Sequence, residues 1–208
     1  RRPRGMLFAA AFSPDGRQIA AAGASGAVRL LKTDTGELVG VLHGHQRDVV
    51  DLAYCPKKST LATASRDGDV RLWDTGTGRT RRQLAGGANI RRVAFSPDGQ
   101  RLAVGKPTVV TVWDVRKGKE IGTLPLPKQN QGLRALAWSS DGRWLAASFG
   151  RGIRLWDAKT GKVGDTRNHN REIIPRNVGI GVFQVKMWRN LSMLQRKNDF
   201  HQPRNSSS

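Results

Sequence analysis

The sequence predicts an all-β fold built from four copies of one unit, each copy contributing four short strands. Three observations point there. The first is a recurring motif: Phe12-Ser13-Pro14-Asp15-Gly16 returns as Phe95-Ser96-Pro97-Asp98-Gly99 and, weakened, as Trp138-Ser139-Ser140-Asp141-Gly142, with Tyr54-Cys55-Pro56-Lys57-Lys58 as the divergent copy. The starting positions 12, 54, 95 and 138 are spaced by 42, 41 and 43 residues. The second is another motif in step with it: Arg71-Leu72-Trp73-Asp74, Thr111-Val112-Trp113-Asp114 and Arg154-Leu155-Trp156-Asp157, with Arg29-Leu30-Leu31-Lys32 as the eroded copy. Two landmarks sharing one period make coincidence a poor explanation. The third is composition: 24 glycines and 38% hydrophobic residues in 208 suit many short strands and tight turns around a core better than helices.

In the second unit the apolar residues alternate over short runs that predict strands at 48–54, 60–65, 69–74 and 79–84, with breaks at Pro56-Lys57-Lys58, Asp67-Gly68 and Gly76-Thr77-Gly78. Val70 and Leu72 are expected on one face, Arg71 and Trp73 on the other. Asp67-Gly68 is expected to be a two-residue hairpin turn with both residues at positive φ. Four strands in about 40 to 45 residues is the size of one β-propeller blade. The expected blades are 5–43, 44–86 and 87–131; residues 132–174 hold a fourth and the start of a fifth, and 175–208 form a tail outside the repeat.

The pairs Trp73-Asp74, Trp113-Asp114 and Trp156-Asp157, the Gly44-His45 pair and the Ser-Pro-Asp-Gly turns make the chain similar to the WD-repeat propellers over residues 5 to 174, in tandem repeats of the bacterial style. That resemblance implies a buried, hydrogen-bonded tetrad in a well-formed blade, mapping onto His45, Thr63, Asp67 and Trp73. Polar groups buried together must satisfy one another, and a closed network fixes one packing. Alignment of the units puts Ala21, Ala103 and Ala146 where the second has Thr63, and Ser25, Pro107 and Gly150 where it has Asp67. Only the second blade is therefore expected to be braced in this way. The resemblance specifies no activity, since one fold hosts many.

Residue 1 aligns inside a loop, because Arg1 to Arg4 fall where His43 to Gln46 stand in the next unit. The family usually closes a ring of about seven blades, so four units imply a fragment of a larger propeller, or an open arc whose ends associate with other blades. Residues 163–174 align without a gap to 39–50, with His169 on His45, which announces a fifth inner strand. No further Ser-Pro-Asp-Gly turn follows, and while residues 1–174 contain twenty alanines the last 34 contain none. The tail 175–208 is accordingly read as a truncated or frame-shifted end, with a different natural segment as the rival; an edge strand at 182–188 and disorder at 205–208 are expected there.

No uninterrupted apolar run approaches the ~18 to 20 residues that span a bilayer, which argues against a transmembrane protein. Arg1-Arg2-Pro3-Arg4 ahead of the apolar run 6–11 imitates a signal peptide, but it leads straight into the first repeat motif and reads as a strand. A cytoplasmic location is expected. The single cysteine, Cys55, excludes a disulfide framework and fills a turn slot that is serine in the other units. His43 and His45 are spaced like a metal pair but lack an accompanying carboxylate or cysteine set. Most of the thirteen aspartates belong to repeated turns or strand ends, leaving few for paired acid–base work. Gly76-Thr77-Gly78 and Gly86-Gly87 lack the Lys and helix of a phosphate-binding loop. No catalytic residue, metal or cofactor is expected.

Charge is the outlying number, with 36 Lys and Arg against 16 Asp and Glu for a formal +20, divided as +14 over residues 1–161 and +6 over 162–208. Loops between blades, and turns between second and third strands, should crowd one face around the central channel; they carry Arg47, Arg66, Arg91, Lys106, Arg134 and Arg151. Such a rim suits phosphates or an acidic peptide. Arg71, Arg79, Arg81, Arg82, Lys117 and Lys119 fall elsewhere, so the surface is basic in general, and the aromatics a single-strand stacking platform needs are assigned to strands. The expected function is a non-catalytic scaffold that binds a protein or peptide on the loop-rich face. The alternatives are a nucleic-acid or phosphate-rich ligand on the basic rim, and a regulatory or sensor extension of a larger signalling enzyme.

Overall fold

Fifteen β-strands make up the regular structure of the residues that the computed structural model describes, 5–85, 87–127, 132–149 and 152–164. Arg151, the alignment of residues 165–174 and the tail 175–208 lie outside them. The strands form four antiparallel sheets in chain order. The first contains β1 (Leu7–Phe12), β2 (Gln18–Gly23), β3 (Val28–Lys32) and β4 (Leu38–Leu42). The second contains β5 (Val49–Tyr54), β6 (Thr60–Ser65), β7 (Asp69–Asp74) and β8 (Thr80–Ala85). The third contains β9 (Arg92–Phe95), β10 (Arg101–Gly105), β11 (Val109–Asp114) and β12 (Lys119–Pro125). The fourth contains β13 (Leu133–Trp138), β14 (Trp144–Phe149) and β15 (Gly152–Asp157), with one further bridge from Trp156 to Val163. Strands β1, β5, β9 and β13 lie side by side as the innermost strands. This is an all-β partial propeller.

The repeated motif makes the turn between the first two strands of each blade. Pro14 supplies the fixed φ that opens the turn, the Gly16 N–H closes it on the Ser13 carbonyl at 2.9 Å, and Gly16 itself sits at φ +70°. Asp15 accepts from the Ser13 hydroxyl at 2.6 Å and from the Arg17 N–H at 3.1 Å, bonds that hold its carboxyl below the ordinary range. Ser96 with Asp98, and Ser139 with Asp141, repeat the arrangement. The Asp67-Gly68 turn differs from expectation. Only Gly68 has positive φ (+95°), Asn89 being the one such non-glycine among the described residues. The Gly68 N–H meets the Ser65 carbonyl at 3.3 Å, so the loop has three residues with only its last left-handed.

The second and third sheets pack against neighbours on both faces, so both sides of their alternating strands are buried. Leu72 and Trp73 point to opposite faces of the second sheet, yet both are buried, Leu72 against the third sheet and Trp73 against the first. The first junction joins Ala20, Val28 and Leu42 to Val49, Leu52 and Leu61; the third joins Val110 and Leu124 to Leu136, Leu145 and Trp156. Polar bonds also cross the junctions. The buried Asp51 accepts the Val93 N–H at 3.0 Å, and the Tyr54 hydroxyl donates to Gln18 Oε1 at 2.6 Å, its pKa raised by burial. Cys55 lies in the second junction, its Sγ so close to Gly99 that a Cβ there would meet it at 2.6 Å.

Truncation should separate the two environments. Leu52→Ala, inside the first junction, should cost about 2 to 5 kcal/mol, whereas Leu38→Ala, on the exposed outer strand, should stay within about 0.5 kcal/mol in denaturant unfolding.

Candidate functional site

One face of the second blade carries a closed polar network beneath exposed loops. His45, midway along the β4–β5 connection, places Nδ1 2.8 Å from Asp67 Oδ2 and Nε2 2.7 Å from Thr63 Oγ1. The Trp73 indole N–H donates to the same Thr63 oxygen at 2.8 Å. A carboxylate only accepts, so His45 Nδ1 carries the proton and Nε2 accepts from the threonine hydroxyl. Every group is satisfied with the imidazole neutral. Burial pushes the His45 pKa below its ordinary 6.5, against the pull of Asp67. Burial raises Asp67, but N–H bonds from Asp69 and Gln46, with His45, outweigh it and leave the carboxyl below the usual range.

The equivalents of Thr63 are not all those expected. Thr63 pairs with Arg71, two residues before Trp73; the same register gives Ala21 opposite Arg29, Val104 opposite Thr111 and Ala147 opposite Arg154. Ala103 and Ala146 lie one residue earlier, facing the other side of their sheets. The physical reason is length: seven residues separate Thr63 from its partner Arg71, but six separate Val104 from Thr111 and Ala147 from Arg154, so counting back from the Trp-Asp pair misplaces the column, and Pro107 is likewise no direct counterpart of Asp67. With Val104 in place of a hydroxyl, Trp113 donates instead to Thr111 at 3.0 Å. With Ala147 there, the buried Trp156 N–H has no partner among the described residues. Thr111 was legible as the break in a column that is Arg29, Arg71 and Arg154 elsewhere.

Above the network lie the basic residues. Arg47 is exposed on the β4–β5 loop, and its carbonyl accepts the Ser65 hydroxyl at 3.1 Å. Arg66, on the β6–β7 turn, holds Nε 3.6 Å from Asp48. Arg91 is exposed, its N–H bonded to the Gly105 carbonyl at 2.8 Å, and Lys106 brings Nζ over Gly87. Arg134 is exposed near the start of β13. The arrangement thus brings Arg47 beside Arg66, and Arg91 beside Lys106 and Arg134, on loops and, for Arg134, the start of an inner strand at one end of the blades. Sequence reasoning missed Arg92. Its guanidinium donates to the Arg134 carbonyl at 2.6 Å and to the Arg91 carbonyl at 2.7 Å, clamping the third blade to the fourth under the rim. His43 is exposed and apart from the network, and among the described residues no three His, Cys, Asp or Glu come together as a metal site.

The sequence profile of the family described as WD domain, G-beta repeat, matches residues 36–74, 78–114 and 118–157. Each matched unit takes the outer strand of one sheet with the three inner strands of the next. The chain is 35% identical over 126 residues to Periodic tryptophan protein 2 homolog of Mus musculus, covering 59% of this chain and 14% of that protein. It is 34% identical over 91 residues to Eukaryotic translation initiation factor 3 subunit I of Pyricularia oryzae, 44% of this chain and 27% of that one. It is 43% identical over 83 residues to THO complex subunit 3 of Arabidopsis thaliana, 38% of this chain and 26% of that one. The chain therefore spans well under half the length of these relatives. All three come from eukaryotes, and the expected bacterial style of repeat finds no support in them.

Two outcomes follow from the network. Thr63→Val keeps the shape but strips the acceptor from Trp73 and the donor from His45, and should cost about 1 to 3 kcal/mol in chemical denaturation. Because His45 is neutral in the fold, its contribution is complete above pH 6.5 and is lost as pH falls through its lower folded value. The melting temperature should therefore hold steady from about pH 8 to 6.5 and drop below it, and His45→Gln should flatten that drop.

Proposed function

Because the chain belongs to the WD-repeat family (WD domain, G-beta repeat), we propose that it is a non-catalytic scaffold that binds a protein or peptide partner across the loops of one propeller face. The observation that carries this reading is the placement of Arg47, Arg66, Arg91, Lys106 and Arg134 on the same end of three successive blades. Short loops held by rigid sheets suit a partner that docks across several of them at once. Guanidinium groups on such a rim favour carboxylate or phosphate groups, so the partner presents an acidic stretch. Two relatives are named as subunits, one of a translation initiation factor and one of the THO complex, which accords with a place in an assembly. Their greater length accords with a module within a larger chain, including a regulatory extension. We place the protein in the cytoplasm; no helix among the described residues is long and apolar enough to cross a membrane.

The discriminating experiment is capture from a lysate with and without nuclease. Wild-type protein should retain protein partners after nuclease, and Arg91→Glu with Arg134→Glu should reduce capture about tenfold. Loss of every partner after nuclease, with binding that falls steeply as salt is raised, would move the rim to nucleic acid and sink the scaffold reading.

A further inference from the structure

The cations at the loop end of the blades are unevenly placed. Counting four residues back from the aromatic that opens each repeat motif gives Phe8, Val50, Arg91 and Arg134. In β1, β5 and β13 this is the residue at which register with the neighbouring strand slips, between Leu7 and Ala9, Val49 and Asp51, and Leu133 and Ala135. Such a bulge leaves one residue out of the ladder and re-aims its side chain. Blades 1 and 2 put a half-buried apolar residue there, whereas blades 3 and 4 put an exposed arginine.

Backbone contacts draw the two arginines together with one lysine. The Arg92 guanidinium donates to the Arg91 carbonyl at 2.7 Å and to the Arg134 carbonyl at 2.6 Å, so both backbones lie within reach of one planar group. The Arg91 N–H in turn bonds the carbonyl of Gly105, the residue before Lys106, at 2.8 Å. No carboxylate opposes these charges: among the described residues no ion pair joins Arg91, Lys106 or Arg134 to Asp or Glu, and the stretches 75–97, 99–113 and 121–140 contain neither. The second blade differs, because Arg66 lies 3.6 Å from Asp48, the residue that follows Arg47.

Three unopposed cations on adjoining segments call for more than one carboxylate, whose two oxygens and single charge satisfy one guanidinium fork. A phosphomonoester carries a charge of about −1.5 to −2 at neutral pH and three acceptor oxygens, enough for two guanidinium groups and an ammonium at once. A nucleic-acid strand asks for another layout, with phosphates repeating along a track and rings on which bases stack. Here the unopposed charge is gathered at one junction, and Phe12, the one exposed Phe, Tyr or Trp among the described residues, lies at the other end of its strand. We propose that Arg91, Lys106 and Arg134 form the docking point for a phosphorylated side chain of the partner protein, with Arg92 as the residue that positions the two arginines. This deepens the scaffold reading and rests on it. Phosphorylation of the partner then switches the interaction on.

Capture of peptide libraries on the immobilised full chain tests it. The libraries are randomised around a central phosphoserine, phosphothreonine or phosphotyrosine, with central Ser, central Glu and a single-stranded oligonucleotide as comparisons. Wild-type protein should retain a phosphorylated library about tenfold better than the Glu library, a comparison that needs no variant. Arg91→Gln, Lys106→Gln and Arg134→Gln, each checked for an unchanged melting curve, should lower that retention about tenfold. Lys58→Gln removes one exposed charge at the other end of the blades and should leave it unchanged. Equal retention of phosphorylated and Glu libraries, equal loss with Lys58→Gln, stronger retention of the oligonucleotide, or no retention of any library would each overturn the proposal. The scaffold reading is judged separately, by whether lysate proteins stay captured after nuclease, so the two can fail independently.

Discussion

The constraint on which the molecule depends is that a sheet holds only when neighbours cover its apolar faces, as they cover both faces of the second and third sheets. A four-stranded meander of about 40 residues buries too little by itself to offset the entropy of ordering its chain. Leu72 and Trp73 show how the requirement is met, adjacent residues serving the cores on opposite sides of one sheet. The repeat follows from this, because each blade must offer one face to its predecessor and the complementary face to its successor. It also explains the offset between matched sequence units and sheets: a unit such as 36–74 contains β4 of one sheet and β5 to β7 of the next, so the covalent chain spans the same boundary that the apolar core spans.

The polar network of the second blade performs a different task. Its four side chains join a loop to a turn. Asp67 on the β6–β7 turn takes bonds from the His45 ring and the Gln46 backbone, while the Ser65 hydroxyl holds the Arg47 carbonyl. The segments that carry Arg47 and Arg66 are thus fixed to each other from below. Where the threonine is lost the bracing changes by degrees, with Thr111 substituting beside Trp113 and no described substitute beside Trp156. Among the described residues this side-chain bracing is therefore fullest at the second blade.

Much of this was legible in the residues because periodicity reports burial. The strand order, the Ser-Pro-Asp-Gly turns and the four network residues all follow from spacing or from the family resemblance those spacings carry. What spacing could not supply was register within a unit. One extra residue between Thr63 and Arg71 slid Ala103 and Ala146 into a column that belongs to Val104 and Ala147, and only strand pairing settles such a slip, since it moves a side chain to the other face. Two-sided burial was legible at Trp73, which the family resemblance put in the buried tetrad, but hidden at Arg71, counted among the charges of a generally basic surface. Arg71 is in fact half-buried, with its guanidinium over the Trp73 ring and against Gly44.

Composition was most misleading about the arginines. A formal +20 reads as a binding surface, yet several guanidinium groups reach across blade boundaries to backbone carbonyls. Arg82 of the second blade donates to Arg116 and Lys117 carbonyls of the third, Arg101 of the third to Gly142 and Ala158 of the fourth, and Arg154 of the fourth back to Pro125 of the third. Arg92 does the same at the loop end. A guanidinium offers several donors in one plane and no acceptor, so it satisfies carbonyls that strand pairing leaves open at blade corners. Lysine, with one flexible ammonium, is a poorer fit to two carbonyls on different segments. Part of the positive charge is therefore structural, placed where neighbouring sheets meet at their edges. The charge not used in this way includes the exposed Arg47, Arg91 and Arg134, whose own backbone carbonyls accept bonds from Ser65 and Arg92, so the segments that carry them are tied down from beneath.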